Sequence, residues 1–394
     1  MREVFVLSGK RTPIGAFQGC FSSLTAPQLG AHAIRAALAA AGIDSDAVDE
    51  VLMGNVLGAG LGQAPARQAS KGAGIPDSVP CTTVNKVCGS GMKTVMMAAQ
   101  SIMCGDAEIV VAGGMESMTN APYILPQARA GYRMGDGKVV DSMIADGLWD
   151  PYNNMHMGSC GDLCANEKGF SRQELDRFAA QSTTRARDAQ AAGRFADETV
   201  PVEVPQRRGD PVTVTEDEGP AKSDPAKLAG LRPAFGKDGV TTAGNASSIN
   251  DGAAALVLAS GEAVQRHGLK PMGRVVAYSQ HAQVPEWFTT APAEAIKKVL
   301  AKTGKSVADV DLFEVNEAFA VVALVVAREV GIPEDKLNVN GGAVALGHPI
   351  GMTGARLVLT LLHELRRRGG GIGVASPCIG GGEATAVMLE ALID

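Results

Sequence analysis

Three side chains in this 394-residue chain carry reactive groups in settings suited to use them: Cys88, His348 and Cys378. Cys88 lies in Val84-Asn85-Lys86-Val87-Cys88-Gly89-Ser90-Gly91, which reads as a strand turning through glycine into an apolar helix. A helix start offers unpaired N–H groups and the positive end of the helix dipole, and both stabilise a thiolate. The chemistry expected of such a thiol is nucleophilic attack on a carbonyl, with a covalent intermediate. Read alone, Cys88 is also compatible with a small packed hydrophobe, the usual state of a free cysteine. His348 follows a glycine-rich stretch, Asn340-Gly341-Gly342 to Gly347, which lets backbone approach another group closely; alone it reads as a base or a structural histidine. Cys378-Ile379-Gly380-Gly381-Gly382 sets a second thiol beside a glycine run whose N–H groups suit an oxyanion hole, or a plain turn. Asn316-Glu317-Ala318-Phe319 follows the strand-like run Leu312-Phe313-Glu314-Val315, and polar residues at strand ends are well placed for sites in α/β folds. His156-Met157-Gly158 sits mid-chain.

The elements that must position these groups come as a repeat. Ala33-Ile34-Arg35-Ala36-Ala37-Leu38 to Gly42 resembles Ala295-Ile296-Lys297-Lys298-Val299-Leu300 to Gly304 at an offset of 262 residues, and Val48-Asp49 then falls on Val310-Asp311. Each copy reads as helix, glycine stop, acidic turn and strand. Cys88-x-x-Gly91-Met92 faces His348-x-x-Gly351-Met352 at offset 260, and Ile109-Val110-Val111-Ala112 faces Ile372-Gly373-Val374-Ala375 at offset 263. Two β-α-β-rich halves are expected, with equivalent loops carrying Cys88 in one and His348 and Cys378 in the other, meeting at a pseudo-two-fold interface where sites are commonly built. The expected division is 1–120 plus 249–270 for the first half, an inserted loop domain at 121–248, and 271–394 for the second half. Prolines and charged turns punctuate the insertion, which holds one clear amphipathic helix opened by Ser171 with Glu174 three residues on. Ala253–Leu258 reads as a buried strand that resumes the first half.

Composition narrows the function classes. A formal charge of −6 argues against a phosphate-backbone binder, so nucleic acid is not an expected partner. No apolar run approaches the roughly 20 residues that span a bilayer, so no membrane partner is expected either. Seven scattered cysteines and a start without a signal-like segment lead to an expectation of reduced thiols and a cytoplasmic location. No spacing fits a metal site, and Cys160-x-x-x-Cys164 reads as two small hydrophobes on one helical face. With 48 glycines and 4% aromatics, the core is expected to be aliphatic, with close backbone approaches.

Over essentially its full length the chain resembles the thiolase family. Asn85-x-x-Cys88-Gly89-Ser90-Gly91 is similar to that family's nucleophile motif, Asn316-Glu317-Ala318-Phe319 to its NEAF motif, Gly347-His348-Pro349-x-Gly351 to its GHP motif and Cys378-x-Gly380-Gly381-Gly382 to its CxGGG motif. The resemblance implies a five-layered α/β/α/β/α thiolase fold and a two-step exchange of acyl groups through a Cys88 acyl-enzyme. His348 would take the Cys88 proton, and Cys378 would serve as acid and base for the carbon–carbon step. One oxyanion hole would come from His348 and a water held by Asn316, the other from the N–H groups of Cys88 and Gly380. Coenzyme A and acyl-CoA thioesters are the implied substrates, with no permanently bound cofactor, no metal, and a homotetramer built as a dimer of dimers, with 121–145 as a contact. Leu148, His156, Met157, Ala243, Ser247, Ala318 and Phe319 would line the pantetheine tunnel, and Lys222, Arg207 or Arg208 would meet the coenzyme's phosphates. The implied reaction is reversible condensation of two acetyl-CoA to acetoacetyl-CoA, as in acetyl-CoA C-acetyltransferases. The alternatives are a 3-ketoacyl-CoA thiolase with longer or branched substrates, or a ketoacyl-synthase-type condensing enzyme.

Three segments depart from the family pattern. Met157-Gly158-Ser159-Cys160-Gly161-Asp162 stands where Met-Gly-x-Thr-Ala-Glu is common, Phe288 where short-chain members often carry Met, and Glu383-Ala384 where Gln or Met followed by Gly is commoner. Phe288 lies in the loop over the acyl end, so it bears on which acyl groups fit. Ketoacyl and hydroxymethylglutaryl synthases share the fold and a nucleophilic cysteine but typically lack the second catalytic cysteine, which Cys378 supplies. A non-enzymatic acyl-CoA-binding module would be expected to have lost one of the three reactive groups. Ser90-x-x-Lys93, Ser248-x-Asn250 and Lys302-Thr303-Gly304 follow the order of the penicillin-binding serine acylases. There Lys-Thr-Gly belongs on a strand, whereas here Gly304 reads as a helix stop.

Overall fold

A computed structural model describes residues 2–393; Met1 and Asp394, the outer limits of the two expected halves, lie outside the described residues. The first half consists of β1 (Val4–Arg11), α1 (Ala26–Ala41), β2 (Glu50–Gly54), β3 (Cys81–Val84), α2 (Ser90–Cys104) and β4 (Ile109–Ser117). A long insertion holding α3 (Met157–Lys168) and α4 (Arg172–Ala191) follows, and β5 (Asn250–Ser260) completes the first set of strands. The second set runs β6 (Gly273–Ala282), α5 (Ala291–Thr303), β7 (Leu312–Val315), α6 (Ala320–Val330), α7 (Ile350–Arg367), β8 (Gly371–Ser376) and β9 (Glu383–Ala391).

The strand order is β7-β8-β9-β6-β1-β5-β4-β2-β3, and the repeat is visible in it. From β1 outward, β5 and β4 pair antiparallel and β2 and β3 parallel. From β6 outward, β9 and β8 pair antiparallel and β7 parallel, with a parallel bridge from Phe313 to Leu337 standing where β3 stands in the first half. The halves join at β1 and β6 through two pairs, Phe5 with Arg274 and Val6 with Gly273. Helix α1 covers the outer face of the first half, α5 and α6 that of the second, and α2 and α7 pack on each other between them, which gives five layers.

Local chemistry explains the matching helix ends. Thr25 and Gln28 form a capping box that opens α1, while Gly42 and Gly304 stop α1 and α5 in the left-handed region at φ 66° each. The Lys302-Thr303-Gly304 run therefore ends a helix, which removes the strand that a penicillin-binding serine acylase needs there. Strand β5 is buried at all 11 positions, as its unbroken apolar run requires of a strand covered on both faces. Ser171 and Glu174 form the expected capping box of α4. A second helix in the insertion, α3, has no amphipathic stripe in its sequence. It is buried through small residues, Gly158, Cys160, Gly161, Cys164 and Ala165, so its face is set by close fit. All seven cysteines are unpaired. Among the described residues, no helix is long and apolar enough to cross a membrane, and no group of three or more His, Cys, Asp or Glu is arranged to hold a metal.

Candidate active site

The chain leaves β3 into a strained turn. Val87 has φ 44°, a left-handed conformation that costs a β-branched residue about 1–2 kcal/mol. The Asn85 side-chain oxygen accepts from the Val87 N–H at 3.0 Å, and Ser90 Oγ accepts from the Lys86 N–H at 2.8 Å while donating to the Val87 carbonyl at 2.7 Å. Those bonds aim Cys88, which is partly exposed, from the start of α2 into a cavity. They also commit Ser90 Oγ to the turn, away from any nucleophilic role.

Helices α2 and α7 meet through backbone because glycines line the crossing. A Cβ on Gly91 would lie 2.8 Å from the Ala355 nitrogen, one on Gly351 would lie 2.6 Å from the Met115 carbonyl oxygen, and one on Gly354 would lie 2.8 Å from the Met92 Cβ. Buried Glu116 fastens the crossing: its carboxylate accepts from the Asn55 amide at 2.8 Å, from the Val56 and Leu57 N–H groups at 3.1 Å each, and from the Gly351 N–H at 2.9 Å. Burial pushes that carboxyl up to about 7, against the pull of the three N–H groups.

The crossing brings His348 to the same place. Thr353 Oγ donates to the Pro349 carbonyl at 2.9 Å and lies 2.6 Å from His348 Nδ1, so with its one proton committed it accepts from Nδ1–H. The Asn316 amide nitrogen donates to His348 Nε2 at 3.3 Å, which requires the same tautomer. Both contacts fix Nε2 as the unprotonated nitrogen, a base whose lone pair rests on the Asn316 amide. Asn250 accepts from the His348 N–H at 3.0 Å and fixes the loop. Burial, with a smaller effect from the Arg356 charge, holds the imidazole down to about 3.

Burial disfavours the thiolate at both cysteines. Burial pushes Cys88 up to about 11, opposed by N–H donation from Gly380 and from its own backbone, while the Glu116 charge adds to the rise. Cys378 is fully buried and is driven higher, first by burial and then by the neighbouring Cys88 sulfur, against N–H groups of Cys378 and Ala318 and the Asn316 amide. Cys88, His348, Asn316, Cys378 and Gly380 are therefore brought together, linked by the Gly380 to Cys88, Asn316 to His348 and Asn316 to Cys378 contacts.

A cavity of about 810 Å³ opens onto this cluster and is lined by Cys88, His348 and Gly380 at one end. Its walls include Leu148, His156, Met157, Ala243, Ser247, Phe288, Ala318, Phe319 and Lys222, the whole set expected from the sequence. Asn316 and Cys378 sit behind that wall. Arg207 and Arg208 are exposed and do not line it, and Lys222 is paired with Glu218 at 3.0 Å. His156 caps α3, accepting from the Gly158 N–H at Nδ1 at 3.0 Å, and stacks on Phe235 at 4.6 Å. Ser247 donates to the Ala318 carbonyl through both Oγ and N–H, at 3.0 and 2.9 Å, which ties the insertion to the NEAF loop.

Several residues of the site were not expected from the sequence. Leu228 and Leu231 wall the cavity from a single short 3-10 turn, Pro225–Gly230, and its C-cap, and Phe235 from the irregular stretch after it, with no periodicity to mark them. Thr353 lies one helical turn beyond Pro349, and its spacing of five from His348 was a readable sign of contact on the first turn of α7. Val87 carries no sequence mark of its positive φ. Glu116 lies in Gly113-Gly114-Met115-Glu116-Ser117-Met118, where nothing in the sequence marks its carboxylate as buried.

Comparison with known proteins agrees with this geometry. The thiolase N-terminal domain family matches residues 4–262 and the thiolase C-terminal domain family residues 269–391. The chain is 56% identical over 393 residues to acetyl-CoA acetyltransferase 2 of Arabidopsis thaliana, covering 99% of this chain and 98% of that one. It is 50% identical over 390 residues to the acetyl-CoA acetyltransferase of Pseudomonas aeruginosa, covering 99% of each. The crystal structure of Acat5 thiolase from Ascaris suum in complex with coenzyme A superposes with a TM-score of 0.95 at 44% identity, covering 99% of this chain and all of that one. With both family domains matched across a fold that converges on Cys88, His348 and Cys378, the chain belongs to the thiolase family.

Proposed function

We propose that this protein is an acetyl-CoA C-acetyltransferase that interconverts acetoacetyl-CoA plus coenzyme A with two acetyl-CoA. The observation that carries the reading is the convergence of a donor-bound thiol, a base with an unprotonated Nε2 and a second, buried thiol, with a cavity of about 810 Å³ opening onto the first two. In thiolysis, His348 Nε2 takes the Cys88 proton and the sulfur attacks the 3-keto carbon of acetoacetyl-CoA. The oxyanion is held by the N–H groups of Cys88 and Gly380. Collapse breaks the C2–C3 bond, and the departing enolate of acetyl-CoA takes its proton from Cys378. Protonated His348 and a water on Asn316 hold the enolate oxygen; Asn316 Oδ1, buried without a protein partner, suits that water. The Cys378 thiolate recovers its proton from His348, and the neutral imidazole then takes the thiol proton of coenzyme A, whose sulfur attacks acetyl-Cys88. Cys88 leaves as a thiolate and recovers its proton from His348. A high thiol pKa fits Cys378 to this role, because it arrives protonated.

Loss of acetoacetyl-CoA absorbance on adding coenzyme A tests the reading, and absence of turnover would reject it. Running 3-ketohexanoyl-CoA and 2-methylacetoacetyl-CoA beside it decides the chain-length alternative, which Phe288 motivates: its ring is buried in the cavity wall and packs edge-on against Phe319 at 6.3 Å. Acetoacetyl-CoA is expected to have the highest kcat/KM.

Thr353→Val should lower kcat about tenfold with KM unchanged, because the Nδ1–H tautomer loses its acceptor; an unchanged kcat would remove that positioning role. The sign of the pH dependence follows from the raised thiol. Cys88 in the free enzyme yields thiolate only as pH rises towards about 11, so its alkylation by iodoacetamide should climb through pH 7 to 9. A plateau starting near pH 6 would instead mean a resting thiolate–imidazolium pair.

We assign coenzyme A binding and oligomer contacts to the loop domain at 121–248, between halves at 1–120 plus 249–270 and 271–394. Tyr123, Leu125, Tyr132, Met134 and Val139 are exposed together in the 121–145 stretch, which supports a homotetramer. Light scattering at four times the chain mass is the expected result. The unpaired thiols and the substrate class support a cytoplasmic role in fatty acid metabolism.

A further inference from the structure

We propose that the ion pair between Lys86 and Glu383 is a clamp across the two halves that positions Cys88 on the Gly380 N–H. Lys86 and Glu383 are then positioning residues for acyl transfer, and the role rests on the reading of Cys88 as nucleophile. Lys86 lies two residues before Cys88, and Glu383 pairs with Ile379 in the short hairpin that carries Cys378 and leads to Gly380. The Lys86 ammonium and a Glu383 carboxylate oxygen meet across 297 residues of chain. Their side chains are 20% and 36% exposed, so the pair is partly withdrawn from water.

The clamp adds a side-chain fastening across the halves to two loops that are held mainly by bonds of their own. Val87, between Lys86 and Cys88, is held at positive φ, and a strained residue persists only when its neighbours hold it there. Asn85 and Ser90 hold it from within its own loop, whereas the Lys86 side chain fastens the turn to the other half. On the far side, Gly381 and Gly382 at φ 88° and 82° give the hairpin no side chains of its own to pack. The Gln283 N–H, donating to the Gly382 carbonyl at 2.9 Å, ties one flank of it, and the Lys86–Glu383 pair ties the other. Between the two fastenings, Gly89 fits against Ile379 so closely that a Cβ would stand 2.9 Å from Ile379 Cγ1. The pair thus sets the distance between Cys88 and the N–H group that must meet its oxyanion. It also gives a reason for Glu383 in this chain, where the family more often has Gln or Met.

A partly exposed ion pair adds little to global stability, but a small misplacement of a nucleophile against its oxyanion donor is costly in rate. The test compares wild type, Lys86→Met, Glu383→Gln, the double variant and the exchanged pair Lys86→Glu with Glu383→Lys. Two rates are read at low salt: kcat for acetoacetyl-CoA thiolysis and alkylation of Cys88 by iodoacetamide. Each single variant is expected to lose about three- to tenfold in kcat, with KM within about twofold. The double should be no worse than the poorer single, and the exchanged pair should recover most of the loss, which a general loss of fold would not do. Single variants at the wild-type rate, a multiplicative double or an exchanged pair no better than the double would overturn the clamp. A wild type that fails at thiolysis strikes the parent reading, while the alkylation rates of the same set still decide the clamp.

Discussion

Cys88→Ser should reduce acetoacetyl-CoA thiolysis by roughly 10³-fold or more, with the fold intact. A serine hydroxyl at this position keeps the shape and the N–H donation from Gly380, so the cavity and the α2 start are unchanged. It loses the nucleophile's intrinsic reactivity, and an imidazole held down to about 3 is a weak base for a hydroxyl. The same weakness is tolerable for a thiol, whose proton is far easier to remove even at about 11. Coenzyme A should still bind, because the tunnel walls contributed by Met157, Ser247 and Phe319 are untouched. Equal rates for the two proteins would sink the assignment of Cys88.

Cys378→Ala should separate the two half-reactions. Exchange of labelled coenzyme A into acetyl-CoA uses only Cys88, His348 and the Gly380 N–H, and should stay within about tenfold of wild type. Thiolysis and condensation need a proton moved at the substrate α-carbon and should fall roughly 10³-fold. The residue is fully buried, so the lost sulfur leaves a small void costing about 1–2 kcal/mol of stability, too little to unfold a chain of this core size. Normal condensation by this variant would refute the acid and base role of Cys378. Parallel loss of exchange and thiolysis would place Cys378 in acylation instead.

Much of this arrangement was legible because the chemistry lies on a repeated plan. The glycine stops at Gly42 and Gly304 and the offset between the Cys88 and His348 motifs fix equivalent strand-to-helix turns, and equivalent turns in a duplicated sheet must face one another. The four motifs supplied the proposed catalytic set and, in Ala318 and Phe319, part of the tunnel; the rest of it came from the wider family resemblance. What escaped depends on geometry that leaves no periodic trace. Helix α3 is buried by small residues and lacks a stripe, Phe235 reaches His156 from an irregular loop, and the positive φ of Val87 is imposed by Asn85 and Ser90. The cations expected at the coenzyme's phosphates divide the same way. Lys222 lines the cavity, but nothing in its local pattern distinguishes it from Arg207 and Arg208, which do not. Glu383 is a departure from the family pattern that the ion pair with Lys86 accounts for.

The central claim is that an acyl group rests on Cys88 between the two half-reactions. Incubating the protein with acetyl-CoA, quenching in acid and mapping the peptides by mass spectrometry tests it most directly. The account predicts one acetyl group on the peptide containing Cys88, present in wild type and Cys378→Ala and released on adding coenzyme A. An acetyl group on Cys378 instead, or active turnover with no adduct on Cys88, would contradict it.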